Sequence, residues 1–310
     1  MQCSSAADWV KGQETSGCRA DIARLPPTIH APRMSAEAWS TKHGGIQRCV
    51  PLAGGDINEV ERWILGDGTS VVCKQPLVAV DGLYEAEAAG LHILAQGPLR
   101  VPQVIAQGEQ WLIIEDLGDG EPQPGLWEEL GRGLAALHSI TAPKFGFADE
   151  NFIGSTRQPN PWTQDGHAFF ATWRLRHLAD LARASDSLSP FDHYRVHHLA
   201  DRLHELIPVQ PASLCHGDLW TGNLHVDHAG KPALLDPATY YGWAEADLAM
   251  TTLFGKLPEP VYAAYHEVRP LADGWWDRLP LYNLYHLLNH LHLFGVGYLG
   301  QVRTVLDRFS

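Results

Sequence analysis

The chain lacks any apolar run near the roughly 20 residues that a bilayer-spanning helix needs, so a membrane-embedded protein is not expected. The stretch from Met1 to Arg33 has no apolar core of the kind a secretory signal carries. Metal-type cysteine spacing is missing too. Cys3, Cys18, Cys49, Cys73 and Cys215 are scattered with no CxxC among them, which suggests a reducing compartment, the cytoplasm. Cys73 and Cys215 fall inside apolar strand patterns and read as buried thiols. Positive charge is scarce: 23 Lys and Arg face 36 Asp and Glu, for a net charge of −13. Such a surface repels phosphate backbones and anionic lipid, so neither nucleic acid nor a membrane is an expected partner, whereas a cationic small molecule is tolerated. GxGxxG, the Walker pattern, HExxH, tandem repeats and low-complexity tracts are all absent. With 45% hydrophobic and 19% charged residues the composition is globular, and 310 residues suffice for one large domain or two lobes.

What stands out is Leu214-Cys215-His216-Gly217-Asp218-Leu219-Trp220-Thr221-Gly222-Asn223-Leu224, followed by Leu234-Leu235-Asp236. A short apolar strand leads into a polar loop, and a second apolar strand ends in a carboxylate. The pattern gathers Asp218, Asn223 and Asp236 in one small region. Phosphoryl transfer uses such a set: one carboxylate receives the attacking hydroxyl's proton, while an amide and a second carboxylate hold Mg²⁺ on the phosphates. A polar loop between core strands with a solvated Asp is the plain alternative. It does not account for the other parts found upstream.

Those parts occur in order. Residues Gln47 to Gln75 read as strands joined by glycine-rich turns, with Gly54, Gly55 and Asp56 placed to offer backbone N–H groups to phosphates. An ordinary hairpin has the same pattern. Thr69 to Lys74 is a β-branched strand ending in Lys74, and Tyr84 to Gln96 reads as a helix carrying Glu85 and Glu87. A strand lysine paired with a helix glutamate is how kinase-type folds hold the α- and β-phosphates of ATP. Two further strands, around Val101 to Ile105 and Trp111 to Leu117, end at a Gly/Pro-rich change of composition through Gly125. Backbone groups near Glu115 and Leu117 would there meet the adenine.

Beyond Leu126 the pattern is helical. Trp127 to Ile140, Thr163 to Ala184 and Pro190 to Ile207 read as helices, as does most of Pro258 to Ser310, with a long irregular stretch from Pro143 to Trp162. His138 reads as a core or helix-end residue. The aromatics Phe169, Phe170 and Trp173 suit a core, a substrate wall or both. Asp247, at the front of an apolar helix, suits a structural role bracing the loop's backbone. His286 and His290 have the i, i+4 spacing of metal ligands but no third partner in the sequence, so zinc is not expected there.

Taken together, Gly54-Gly55-Asp56-Ile57-Asn58, Val72-Cys73-Lys74, Glu87-Ala88-Ala89-Gly90-Leu91, Phe145-Gly146-Phe147, Asn151-Phe152-Ile153-Gly154, Gln158-Pro159-Asn160, His216-Gly217-Asp218-Leu219-Trp220-Thr221-Gly222-Asn223, Asp236-Pro237-Ala238 and Asp247-Leu248-Ala249-Met250 resemble the fructosamine kinase (ketosamine 3-kinase) family. That family is similar in fold to aminoglycoside phosphotransferases and protein kinases. The resemblance covers about Gly45 to the C-terminus. It implies an α+β, two-lobed protein-kinase-like fold, with a small antiparallel sheet and one helix in the first lobe and a mainly helical second lobe. Residues 1–33 would be a flexible extension, 34–117 the nucleotide-binding lobe and 118–310 the catalytic and substrate-binding lobe.

The resemblance also selects Glu87 over Glu85 as the partner of Lys74. It implies ATP and Mg²⁺ as cofactors, Asp218 as catalytic base, and Asn223 and Asp236 as metal ligands. Gly54, Gly55, Asp56, Lys74, Glu87, Glu115 and Leu117 would bind nucleotide. Trp220 and His216 would lie at the substrate, although Trp220 could equally be packing beneath the loop. The implied reaction is ATP-dependent phosphorylation of the O3 hydroxyl of a ketosamine, a fructosamine or ribulosamine adduct of a small amine or a glycated protein. Phosphorylation there eases loss of the sugar, a deglycation role. The alternatives are a kinase of the same fold acting on an aminoglycoside, a choline-like alcohol or a sugar, and a non-catalytic binding relative. Some relatives carry cysteine where Asp56 stands, so thiol regulation of that loop is not inferred.

Overall fold

Alternation along two central strands sets the position of everything in the first lobe. The structure, a computed structural model, describes residues 35–52 and 58–309. The expectations for the extension and for Gly54, Gly55 and Asp56 lie outside the described residues. A short helix α1 (Ala36–Ser40) precedes β1 (Ile46–Pro51), β2 (Asn58–Leu65) and β3 (Ser70–Pro76); α2 (Leu83–Leu94) then leads to β4 (Val104–Gly108) and β5 (Trp111–Glu115). These strands form one antiparallel sheet in the order β1-β2-β3-β5-β4. Successive side chains point to opposite faces. Val71, Cys73, Trp111 and Ile113 therefore pack with Trp39 and Trp63 under α1, while Val72, Leu112 and Ile114 meet Leu91 and Leu94 of α2. Lys74 shares the α2 face. A cation two residues beyond Val72 is thus carried into the interior beside α2.

The stretch after β5 is tied back to the sheet by Arg62, which pairs with Asp116 (2.8 Å) and Asp119 (2.9 Å). It leads into α3 (Leu126–Leu137), the edge strand β6 (Thr141–Ala142) and the hairpin β7 (Asn151–Ile153)–β8 (Thr156–Gln158). The irregular stretch expected from Pro143 to Trp162 therefore contains a short hairpin. Helices α4 (Gly166–Phe170) and α5 (His177–Ala184) run on from one another through a π-helical segment, Ala171–Arg176. α6 (Pro190–Asp201) and α7 (Leu203–Leu206) replace the single helix expected, because Arg202 leaves helical geometry between them.

Next come β9 (Ala212–Cys215), a single 3₁₀ turn at Thr221–Asn223, and the paired strands β10 (Leu224–Val226) and β11 (Pro232–Leu234). β12 (Tyr240–Gly242) pairs with β9, and β9 with β6. Four helices close the chain: α8 (Ala244–Met250), α9 (Glu259–Val268), α10 (Trp275–Phe294) and α11 (Leu299–Phe309). α3 and α9 approach closely because position 131 is glycine: a Cβ there would stand 2.1 Å from the Val261 carbonyl oxygen. The result is the two-lobed α+β arrangement, a small antiparallel sheet with one principal helix beside a larger helical lobe. One core cluster runs from α2 and the inner face of the sheet into the helical lobe, so the cleft between them has a packed floor.

Candidate active site

The loop after β9 is shaped from behind by one carboxylate. Asp247, in the first turn of α8, accepts the His216 N–H (2.6 Å) on one oxygen and the Gly217 N–H (2.8 Å) on the other. His138, fully buried at the end of α3, stands between this carboxylate (3.1 Å) and the Tyr265 hydroxyl (2.9 Å). Burial works against the charge on Asp247, yet the His138 contact, the nearby histidines and the Gly217 N–H outweigh it and hold the carboxyl below its ordinary range. Gly217 has φ +87°, and a Cβ there would stand 2.0 Å from the Ala238 carbonyl oxygen. The backbone could not pass through this point with any other residue.

His216 differs from expectation. Instead of lying at the substrate it is fully buried, with Nε2 bonded to the Leu235 carbonyl (2.8 Å) and Nδ1 accepting the Asp218 N–H (3.2 Å). With both ring nitrogens engaged, its part is to join the Asp218 loop to the strand before Asp236. Burial depresses its pKa, so the ring is neutral, donating from Nε2 and accepting at Nδ1.

Asp218 projects into the cleft. Asn223 donates its amide N–H to the Asp218 carbonyl (2.8 Å) and to its carboxylate (3.1 Å). Burial pushes the Asp218 carboxyl up to about 7; the Asn223 amide opposes that rise, and the charges of Asp236 and Asp247 add to it. Opposite, Lys74 is buried and reaches both Glu87 and Asp236 at 2.5 Å. Burial would pull the Lys74 ammonium down, but the two carboxylates outweigh it and hold it above its ordinary value. Glu87 is pushed up by burial, partly offset by Lys74. Asp236 sits at φ +54°, a left-handed conformation that Asp tolerates better than most residues, and its side chain is 40% exposed.

A cavity of about 430 Å³ joins these groups, lined by Glu87, Asp218, Asn223 and Asp236 on one side. Aromatic residues form another part of its wall. The Trp220 ring packs edge-on against Phe254 (5.7 Å between centroids), Phe254 meets His290 (5.0 Å), and Phe294 and Tyr298 continue outward. The β7–β8 hairpin also lines the cavity, held by buried amides: Asn151 donates to the Thr239 carbonyl (2.7 Å), Gln158 and Asn160 donate to Asn151 Oδ1 (2.7 and 2.8 Å), and Arg174 donates to Asn160 Oδ1 (2.6 Å). This network fixes the chain just after Asp236.

Most of that wall has no signature in the sequence, because Phe254, Phe294 and Tyr298 come from segments with no motif of their own. Glu115 and Leu117 lie where β5 leaves the sheet. The Glu115 side chain pairs with Arg100, and the Leu117 carbonyl accepts the His228 N–H (2.8 Å). His286 and His290 gain no further metal-type ligand among the described residues; His290 Nδ1 bonds instead to the His286 carbonyl (2.7 Å). The donor set around the cavity suits a hard cation. Asn223 spends its N–H on Asp218 and keeps its amide oxygen, and Asp236 adds a partly exposed carboxylate, both oxygen ligands of the kind Mg²⁺ takes.

Comparison with known proteins points the same way. The family model described as "Fructosamine kinase" matches residues 32–310. A probable ketoamine kinase of Synechocystis is 43% identical over 232 residues, 73% of this chain and 78% of that one. The chloroplastic protein-ribulosamine 3-kinase of Arabidopsis thaliana is 35% identical over 275 residues, 85% of this chain and 83% of that one. The solved structure of a candidate fructosamine-3-kinase from Thermobifida fusca has a TM-score of 0.80 at 34% identity, covering 88% of this chain and 97% of that one. A more distant likeness, to an aminoglycoside phosphotransferase (TM-score 0.58, 16% identity), shows the shared fold alone.

Proposed function

The chain belongs to the fructosamine kinase family and is an ATP-dependent phosphotransferase, and on that premise we propose that it phosphorylates the O3 hydroxyl of ketosamines, with Asp218 as base. One observation carries this reading. The Asp218 carboxylate stands in the cavity beside the Asn223 amide (3.1 Å) and the Asp236 carboxylate, where a sugar hydroxyl could meet it. A base poised near neutrality suits proton transfer at cellular pH.

Bound ATP with Mg²⁺ supplies the γ-phosphoryl group and the charge neutralisation that its transfer needs. Asn223, through its amide oxygen, and Asp236 would hold the cation. Lys74 would release Asp236 to that task and turn its ammonium to the α- and β-phosphates, with Glu87 keeping it in place. Asp218 would hold the substrate hydroxyl in line and take its proton as the new O–P bond forms and the bond to the leaving phosphate breaks. Positioning contributes more than base strength in such a loose transfer.

Trp220 and the aromatic wall beyond it offer flat apolar faces to the sugar and to the amine-bearing arm, and a ring face also attracts an ammonium. The open outer end of that wall would admit either a small amine or the lysine arm of a glycated protein. Gly54, Gly55 and Asp56 would cover the phosphates, and the backbone near Glu115 and Leu117 would meet the adenine. We divide the chain into a nucleotide-binding lobe at 34–117 and a catalytic lobe at 118–310. Three described cysteines, Cys49, Cys73 and Cys215, are free thiols, which suits the cytoplasm. No helix of the described residues is long and apolar enough to cross a membrane.

An ADP-release assay across fructosamines, ribulosamines, aminoglycosides and choline-like alcohols tests the substrate class. Turnover on ketosamines far above the other classes is expected. Turnover confined to aminoglycosides would overturn it.

A further inference from the structure

We propose that Asp180, His193 and His197 form a binding site for a borderline divalent transition-metal ion, zinc being the type, that joins α5 to α6. None of the three lines the catalytic cavity. His193 and His197 are i, i+4 neighbours on α6 and so share a face, with ring centroids 4.3 Å apart. Both turn Nε2 toward the same oxygen of Asp180 on the neighbouring helix, at 2.6 and 3.2 Å. All three ligand atoms lie within 4.8 Å of one another. Ligands bound at about 2.0 Å around a tetrahedral zinc stand roughly 3.3 Å apart, so only small side-chain rotations separate this arrangement from a coordinated one.

The donor chemistry selects the ion. Two imidazoles and one carboxylate leave a coordination position for water and suit zinc, copper or nickel, whereas calcium and magnesium prefer all-oxygen sets. Metal binding would exchange the two imidazole N–H contacts for bonds to the ion while keeping the same three atoms converged.

The scaffold is stiff. Ser189 caps α6 by accepting the Asp192 N–H (3.0 Å), and Arg303 of α11 pairs with Asp192 (2.8 Å). The inner face of α5 is buried through Leu178, Ala179 and Ala182. The same i, i+4 histidine spacing occurs at His286 and His290; among the described residues, the α6 pair is the one that converges with a carboxylate into a group of three metal-type donors.

The test uses the tag-free full-length protein, free of nucleotide and magnesium, titrated with Zn²⁺ by calorimetry beside His197→Gln, Asp180→Asn and the control His198→Gln. Wild type and the control are expected to share a zinc equivalent that is at least about tenfold weaker in His197→Gln and Asp180→Asn, since even outer-shell partners of a metal are worth that much. Zinc should also raise the thermal midpoint of wild type more than that of His197→Gln, while ADP release by zinc-free His197→Gln stays at the wild-type rate. Absence of stoichiometric zinc binding in wild type, or zinc binding of the same strength in His197→Gln, would overturn the proposal.

Discussion

Replacing Asp218 by Asn should make the protein more stable while removing most of its turnover. The Asp218 carboxyl is pushed from an ordinary 3.8 up to about 7, with burial the first cause, so the folded state holds its proton more tightly than the unfolded chain does. The sign follows from proton binding: between those two values the folded form binds more protons, and stability falls as pH rises. The cost of the charge is absent below about pH 4, grows through the interval and is complete above about pH 7. A shift of about 3 units corresponds to roughly 4 kcal/mol, a ceiling from which screening by water in the cleft subtracts. The Asn side chain keeps an acceptor for Asn223 and carries no charge, so it avoids that cost. Loss of the base should lower kcat by about 10²–10⁴-fold. Urea unfolding of both proteins, nucleotide- and metal-free, from about pH 4 to pH 8 gives the stability difference, and ADP release gives the rate. A variant less stable than wild type at pH 8, or a stability difference that does not change with pH, would show that the Asp218 charge carries no burial cost.

Other predictions follow from the same geometry. The kcat/KM of the wild-type enzyme should rise with pH through about 7, because Asp218 must be ionised to accept a proton; a profile flat down to about pH 5 would contradict this. Lys74→Met leaves Glu87 and Asp236 facing each other without their cation and should destabilise the protein by roughly 3–5 kcal/mol at neutral pH in urea unfolding. Since burial pushes the Glu87 pKa up, acid should relieve part of that loss by protonating it. Gly217→Ala places a Cβ against the Ala238 carbonyl at positive φ and should reduce ADP release sharply; normal turnover would show that the loop path is not constrained as described.

Local pattern made much of this legible. The alternation through Val71, Val72, Cys73 and Lys74 is a property of the strand itself, and it carries Lys74 to the α2 face whatever the rest of the chain does. Asp218, Asn223 and Asp236 lie close in sequence, between strands whose apolar residues are easily read, so their meeting did not depend on distant topology. Other features did. The burial of His216 follows from the chain at the end of β11 passing beside it, and the His138–Asp247 contact joins the end of α3 to α8, 109 residues apart in sequence. The aromatic wall assembles Trp220, Phe254, His290 and Tyr298 from four segments, and of these the Trp220 loop alone carries a motif that points to the site. The break between α6 and α7 at Arg202 came without a proline or glycine to mark it.

The most direct measurement is to identify the phosphorylated atom. A synthetic ketosamine incubated with the enzyme, ATP and Mg²⁺ can be followed by phosphorus and carbon NMR. A monophosphate on O3 of the sugar is expected, formed by wild type and lost in Asp218→Asn. ATP consumed with no phosphate on any ketosamine, or phosphate on O3 at an undiminished rate in Asp218→Asn, would contradict it.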